Sequence, residues 1–212
     1  MLGYSVFLPS YSVGENCYKE ISYVTRKFGT RAVVIGGKTA MSKAKPELEA
    51  AIKDSDVEIL DYIWYGGDSS YENVEMLKNN PLVTGADMLF GVGGGRACDT
   101  VKTLADMLDK PFFTFPTLAS NCAACTAITV MYNPDGSFKE YYYMHGPSYH
   151  TFINTKIIAD SPERLLWAGI GDALSKECEV LYAGRDKFMY HTPLMGQCIS
   201  KVCTTPLVEY GA

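Results

Sequence analysis

Histidine is scarce in this chain, with three in 212 residues, at positions 145, 150 and 191. None stands in an H-E-x-x-H pair or another metal-ligand spacing. A G-x-S-x-G elbow and a paired-carboxylate arrangement are also missing, which removes the usual supports for hydrolase chemistry. Basic residues are outnumbered, 19 against 24 acidic ones, for a formal charge of −5. Phosphate backbones favour a basic balance, so a nucleic-acid partner is not expected. No uninterrupted apolar run is long enough to cross a bilayer. The start "MLGYSVFLPS" lacks the basic flank, apolar core and cleavage site of a signal peptide. The seven cysteines, odd in number and scattered, fit reduced thiols in a cytoplasmic protein better than a disulfide framework. Internal repeats and low-complexity segments are lacking too.

What is present can build a core: 47% of residues are hydrophobic and 20% charged, a globular balance. "RAVVIGG" (31–37) reads as a buried strand, followed by a stretch of good helix formers. "DVEILDYIWYGG" (56–67) is a second strand, with a polar helix from near Tyr71. "ADMLFGVGGG" (86–95) is a third, running into glycines, and residues 97–109 place Val101, Leu104, Ala105 and Leu108 at helical spacing. "PFFTFP" (111–116) is a fourth. This alternation predicts an α/β fold, a parallel sheet with crossover helices. The rhythm then changes. Residues 126–144 form two β-rich runs around Asn133-Pro134-Asp135-Gly136, a hairpin signal. Residues 151–158 read as a further strand. Ser161 as N-cap and Pro162 at the first helical position open a long helix. No strand pattern follows, so the expected domains are 1–161, nucleotide-binding α/β, and 162–212, the beginning of an α-helical domain.

The strongest local motif is "FGVGGGRACDTVK". Glycines 93, 94 and 95 follow a strand and open a helix, where backbone N–H groups at the positive helix end can approach a phosphate. The spacing is neither G-x-G-x-x-G nor a Walker loop. A tight turn that binds nothing explains the pattern equally well. In "FPTLASNCAACTAITVMY" (115–132), Thr117, Ser120 and Thr126 bring hydroxyls to the carboxyl end of the fourth strand, where open α/β sheets bind ligands. Any one of them is more commonly a cap or turn residue. Cys122 and Cys125 form a C-x-x-C without the second pair a zinc site needs, and read as packed or lining thiols. The apolar helix "LLWAGIGDALSKECEV" carries one acid in its first half, Asp172, after Gly169 and Gly171.

Four landmarks, "GGGRACDTVK", "FPTLAS", "ITVMYNPDGSF" and "INTKIIADSPERLLWAGIGDAL", come in an order that resembles the glycerol dehydrogenase branch of the metal-dependent alcohol dehydrogenase and dehydroquinate synthase superfamily. The resemblance runs from "YSVG" (11–14) to the chain end. It implies a Rossmann-like domain followed by an all-α one, a dehydroquinate synthase-like fold, with the active cleft between them. It further implies that Gly93, Gly94 and Gly95 cradle the pyrophosphate of NAD or NADP. Arg96 stands where the family usually has lysine, and Asp99 matches the acid of the following helix. Thr117 and Ser120 match hydroxyls that contact the cofactor; Thr126, Ile128 and Tyr132 match the strand at its nicotinamide end. Asp172 resembles the family's first metal ligand. A buried carboxylate there would be neutralised by a divalent cation, which polarises the substrate oxygen for hydride transfer.

The chain departs from the family pattern at three places. Lys176 replaces the histidine of iron-type members, one turn after Asp172, so zinc rather than iron is expected; two later histidine ligands would lie beyond residue 212, His191 being too early. Cys122 replaces an aspartate at the substrate end, as in the subgroup that resembles hydroxycarboxylate dehydrogenases, which would suit an anionic substrate. Gly36-Gly37-Lys38 replaces an acid that would hold ribose hydroxyls, leaving room and charge at Gly37 and Lys38 for the 2′-phosphate of NADP(H), with NAD still compatible. The resemblance thus implies a metal- and NAD(P)-dependent oxidoreductase of a small polyol, 2-hydroxy acid or matching carbonyl, with no assignable general base. The rivals are a dehydroquinate-synthase-like lyase, disfavoured by sparse basic residues near 117–132, and a nucleotide-binding remnant without catalysis. An unfinished helical domain would expose an apolar face, so a homo-oligomer is expected.

Overall fold

The computed structural model describes residues 7–186, 188 and 191–211. The chain divides into two compact units, Leu8–Ser161 and the segment from Pro162 on. The first runs β1 (Tyr11–Val13), α1 (Ile21–Thr25), β2 (Arg31–Gly36), α2 (Lys38–Ile52), β3 (Glu58–Trp64), α3 (Tyr71–Lys78), α4 (Pro81–Gly85), β4 (Met88–Gly93), α5 (Gly95–Met107), β5 (Phe112–Pro116), β6 (Ile128–Tyr132), β7 (Phe138–Tyr143), β8 (His150–Ile153) and α6 (Thr155–Ala159). Six strands form one parallel sheet in the order β1-β8-β5-β4-β2-β3, and β6 and β7 pair separately as an antiparallel hairpin.

The central strands are the most apolar because they are covered on both faces. Every residue of β4 is buried. On one face, Ala32, Val34, Phe90, Val92, Phe113 and Phe115 pack with Ile21, Met41, Ala44 and Leu48. On the other, Val33, Ile35 and Leu89 pack with Val74, Leu77, Val101 and Leu104. Phe115 and Phe152 stack at 4.9 Å between centroids, an arrangement that adds about 0.5–1.5 kcal/mol beyond area burial. Helix α5 is covered twice, by the sheet and by the hairpin, so residues 97–105 are all buried.

Several elements differ from expectation. The run 151–158 is a strand only as far as Ile153. Asn154 then accepts the N–H groups of Lys156 and Ile157 (3.1 and 3.2 Å) and starts α6, an N-cap that outweighs the β-branched composition. Strand β1 and helices α1 and α4 are elements of three and five residues, too short to show a period. In the second unit, α7 (Glu163–Gly184) begins one residue later than expected, with Pro162 at the N-cap position and no side-chain cap from Ser161. It packs against α8 (Thr192–Tyr210). No residue of α7 is buried, and Trp167, Tyr182, Val202 and Val208 are exposed. Among the described residues no helix is long and apolar enough to cross a membrane.

At the amino-terminal end of β8, His150 lies between two hydroxyls, Ser10 Oγ at 2.7 Å from Nδ1 and Ser12 Oγ at 2.8 Å from Nε2. A neutral ring satisfies both, one nitrogen donating and the other accepting. Burial lowers the pKa of His150 from its ordinary 6.5, against a smaller opposite pull from Glu20. The unfolded chain therefore takes up a proton at higher pH than the folded one. The stability from the neutral ring is complete above pH 6.5 and declines as pH falls below it. The expected result is a Tm that drops between pH about 7 and about 5.5, with a shallower drop in His150→Gln; parallel profiles would remove His150 as the cause.

Candidate functional site

With β1 set aside, β2, β3, β4, β5 and β8 lie in the spatial order second-first-third-fourth-fifth. The connection from β2 leads one way across the sheet and that from β4 the other. Ligands of doubly wound sheets bind in the crevice at such a reversal, outside the carboxyl ends of the strands. Here that crevice lies between the ends of β2 and β4, and both ends are glycines: Gly36-Gly37 and Gly93-Gly94-Gly95.

The local geometry suits a close backbone approach. Gly93 has φ +150°, and a Cβ on it would lie 2.8 Å from Ala97 Cβ and 3.8 Å from the backbone nitrogen of Gly37. The two turns are therefore neighbours. Both helices that leave the crevice start without a side-chain cap: α2 from Gly37 and α5 from Gly94. In α3, α4 and α6, by contrast, Ser70, Asn80 and Asn154 supply the capping oxygen. The first N–H groups of α2 and α5 thus have no side-chain acceptor, and both macrodipoles place their positive ends at one crevice. That pairing goes beyond a plain tight turn.

Around this start sit the other expected residues. The Thr117 N–H donates to Gly93 O (3.1 Å), and its side chain is buried. Ser120 is half-buried in the loop after β5. Arg96 pairs with Asp68 at 3.0 Å and lies 4.7 Å above the Tyr132 ring, which ties the start of α5 to the hairpin. Exposed Lys38 lies 4.9 Å from the Trp64 ring centre, beside Gly37. Asp99, only 6% exposed, accepts the N–H of Val130 (3.2 Å) on Oδ2. Its Oδ1 forms a buried ion pair with Lys102 Nζ at 2.9 Å. Burial raises the Asp99 carboxyl, and Lys102 offsets part of that rise.

Thr126 Oγ1 and the Ile128 carbonyl both accept from Lys102 Nζ, at 3.1 and 2.7 Å. Lys102 is the residue that sequence reasoning missed. The one available signal was its position three residues after Asp99. Cys122 is exposed, and Cys125 is partly buried with its thiol raised by burial. They flank a short 3-10 turn, which is not the strand-to-helix setting of a redox pair. A separate concavity of about 370 Å³, lined by Ser10, Ser12, Tyr23, Lys27, Tyr149 and His150, lies by the amino-terminal ends of β1 and β8, away from the strand ends that form the crevice.

Asp172 belongs to the second unit. It is neither a buried carboxylate nor a helix cap: it sits inside α7 with its side chain 35% exposed, 3.4 Å from Lys176 Nζ. Among the described residues no group of three His, Cys, Asp or Glu could hold a metal.

The family model described as "Iron-containing alcohol dehydrogenase" matches residues 9–151. The chain belongs to that family. A glycerol dehydrogenase of Escherichia coli is 29% identical over 207 residues, 95% of this chain and 56% of the relative. Hydroxycarboxylate dehydrogenase A, also of Escherichia coli, is 35% identical over 154 residues, 72% and 41% of the two chains. The glycerol dehydrogenase structure from Schizosaccharomyces pombe superposes with a TM-score of 0.85 at 25% identity, covering 99% of this chain and 54% of that one. The chain thus spans about half the length of the curated relatives it matches. The family membership agrees with the resemblance carried by the glycine motif. The description of the family as iron-containing does not support zinc over iron, and one half-exposed aspartate does not distinguish metals.

Proposed function

We propose that this chain is the nucleotide-binding part of an oxidoreductase that transfers hydride between NAD(P) and a small polyol, 2-hydroxy acid or matching carbonyl compound. The observation that carries this reading is the pair of uncapped helix starts at the reversal between β2 and β4. A nicotinamide dinucleotide supplies the hydride donor or acceptor, and the chain's residues bind and orient it. The N–H groups after Gly94 hold the pyrophosphate, and Gly93 lets it come close. Lys38 stands where the adenosine ribose would lie and pairs with a 2′-phosphate, which favours NADP(H) over NAD(H). Thr117 and Ser120 border the turn, and Asp99, ion-paired with Lys102, holds the Val130 N–H of the hairpin beside it. Arg96, held between Asp68 and Tyr132, closes the side of the crevice.

For the metal, Asp172 alone does not make a site, so no step is assigned to a metal ion. The family description supports a divalent ion without choosing one. An anionic 2-hydroxy or 2-oxo acid fits best at the substrate end, where Cys122 carries no charge as a thiol. The free state of all seven cysteines agrees with a cytoplasmic location. The rival is a nucleotide-binding protein without turnover.

The test is equilibrium titration of the purified chain with NADPH and NADH, followed by nicotinamide fluorescence. Saturable binding of both, with NADPH the tighter, is the expected outcome. A chain that binds neither, while folded by circular dichroism, refutes the proposal.

A further inference from the structure

Lys102 has no exposed surface, although an unpaired buried ammonium costs several kcal/mol. Its surroundings explain how it is tolerated. Asp99 Oδ1 lies at 2.9 Å, and four acceptors complete the shell: Ala123 O and Ile128 O at 2.7 Å, Thr126 Oγ1 at 3.1 Å and Thr126 O at 3.3 Å. An ammonium has only three protons, so the group acts as an internal cation around which a stretch of six residues is folded. Those carbonyls belong to a 3-10 turn, the loop after it and the first residue of β6, and buried carbonyls need a donor from somewhere. Asp99 extends the grip by accepting the Val130 N–H.

The segment held in this way borders the nucleotide crevice at both ends. A Cβ on Gly94 would lie 2.9 Å from Leu118 Cδ1, and one on Gly95 would lie 2.8 Å from Asn121 Nδ2. At the far end, Tyr132 lies beneath Arg96. The wall formed by residues 118–132 therefore touches the first turn of α5 before and after the point where Lys102 fastens it. If packing were its only use, an apolar pair of the same volume would serve as well or better than a buried ion pair. A directional shell that sets the position of three carbonyls does what apolar contacts cannot.

We propose that Lys102, with Asp99 as counter-ion, is a positioning residue that fixes the wall 118–132 against the glycine turn and thereby orients the half of the dinucleotide that passes beyond α5. This rests on the nucleotide-binding reading above. The topology gives it a selective signature. Gly37 and Lys38 follow β2, on one side of β4, while the wall follows β5, on the other. A ligand confined to the β2–β4 crevice, such as ADP, does not reach the wall; a full dinucleotide crosses the turn and does.

The experiment compares dissociation constants for NADPH and ADP in the unaltered chain, Lys102→Met and Thr126→Val. Thr126→Val removes one acceptor while leaving both charges in place. For Lys102→Met the expected loss is roughly 30-fold for NADPH, the effect of losing hydrogen bonds to a charged group, with ADP affinity within about twofold. For Thr126→Val the expected loss is about fivefold for NADPH, again without change for ADP. Should Lys102→Met not fold, Thr126→Val decides by itself. Equal losses for the two ligands, or no loss for either, would overturn the positioning role while leaving the nucleotide-binding reading intact. If the unaltered chain bound no dinucleotide, that reading would fail first, and this inference with it.

Discussion

Alanine at position 93 is expected to weaken dinucleotide binding by at least about 100-fold, or 2.7 kcal/mol. Two effects combine. The backbone at Gly93 has φ +150°, a conformation that costs a residue with a Cβ about 1–3 kcal/mol. The added methyl would also lie 2.8 Å from Ala97 Cβ, inside the first turn of α5. Relief requires the start of α5 to move away from β4, and with it the N–H groups that face the pyrophosphate. Gly136→Ala is the control. It has φ +82° but nothing within 4 Å of the added Cβ, in the hairpin turn rather than at the crevice. That variant is expected to lose stability and keep its affinity for NADPH. Titration of both variants with NADPH, alongside thermal melts, separates the site effect from backbone strain. If Gly93→Ala binds as well as the unaltered chain, the turn is not the phosphate site.

Aspartate at position 37 is expected to reverse the cofactor preference. Gly37 is the N-cap of α2 with φ −73° and ψ 143°, a conformation any residue adopts, and a Cβ there meets only ordinary contacts at 3.8 Å, with Ala40 and Tyr65. The change is thus sterically allowed. An aspartate N-cap also stabilises α2 relative to glycine, by roughly a few tenths of a kcal/mol. At the crevice the same carboxylate accepts ribose hydroxyls and repels a 2′-phosphate. NADPH should bind about 100-fold more weakly, while NADH binds as tightly or more so and Tm stays level or rises. Because the fold gains rather than loses, a fall in NADPH affinity cannot be put down to unfolding. A Gly37→Asp protein with unchanged preference would place the adenosine ribose elsewhere.

The strands at the centre of the sheet were legible because they are buried on both faces. A strand such as "MLFGVG" is apolar throughout wherever it sits in a parallel sheet, and glycines at its end mark a turn in any context. The amphipathic spacing of α5 and the Asn133–Gly136 turn were readable for the same local reason. Asn154 shows the limit: a run of strand-forming residues, 151–158, was broken by one side chain that found two N–H groups to accept. Strand β1 shows another. Three residues carry too little pattern, and they become a strand only because β8 offers a parallel edge at Thr151, Phe152 and Ile153.

The candidate site divides along the same line. Its glycine turn, the Gly37-Lys38 corner and the carboxyl-end hydroxyls follow from sequence, since each depends on its own few residues and on the strand before it. That Gly37 and Gly93 are neighbours does not, because it depends on β2 and β4 pairing across more than fifty residues. Asp172 read as a metal ligand only because its motif resembles the family's; the structure leaves it partly exposed beside Lys176. Lys102 drew no reading from the sequence and is fully buried. Charge in a helix suggests a face toward water, and only the β6–β7 hairpin, folded back over α5, turns that face inward and makes the ammonium the anchor of the wall.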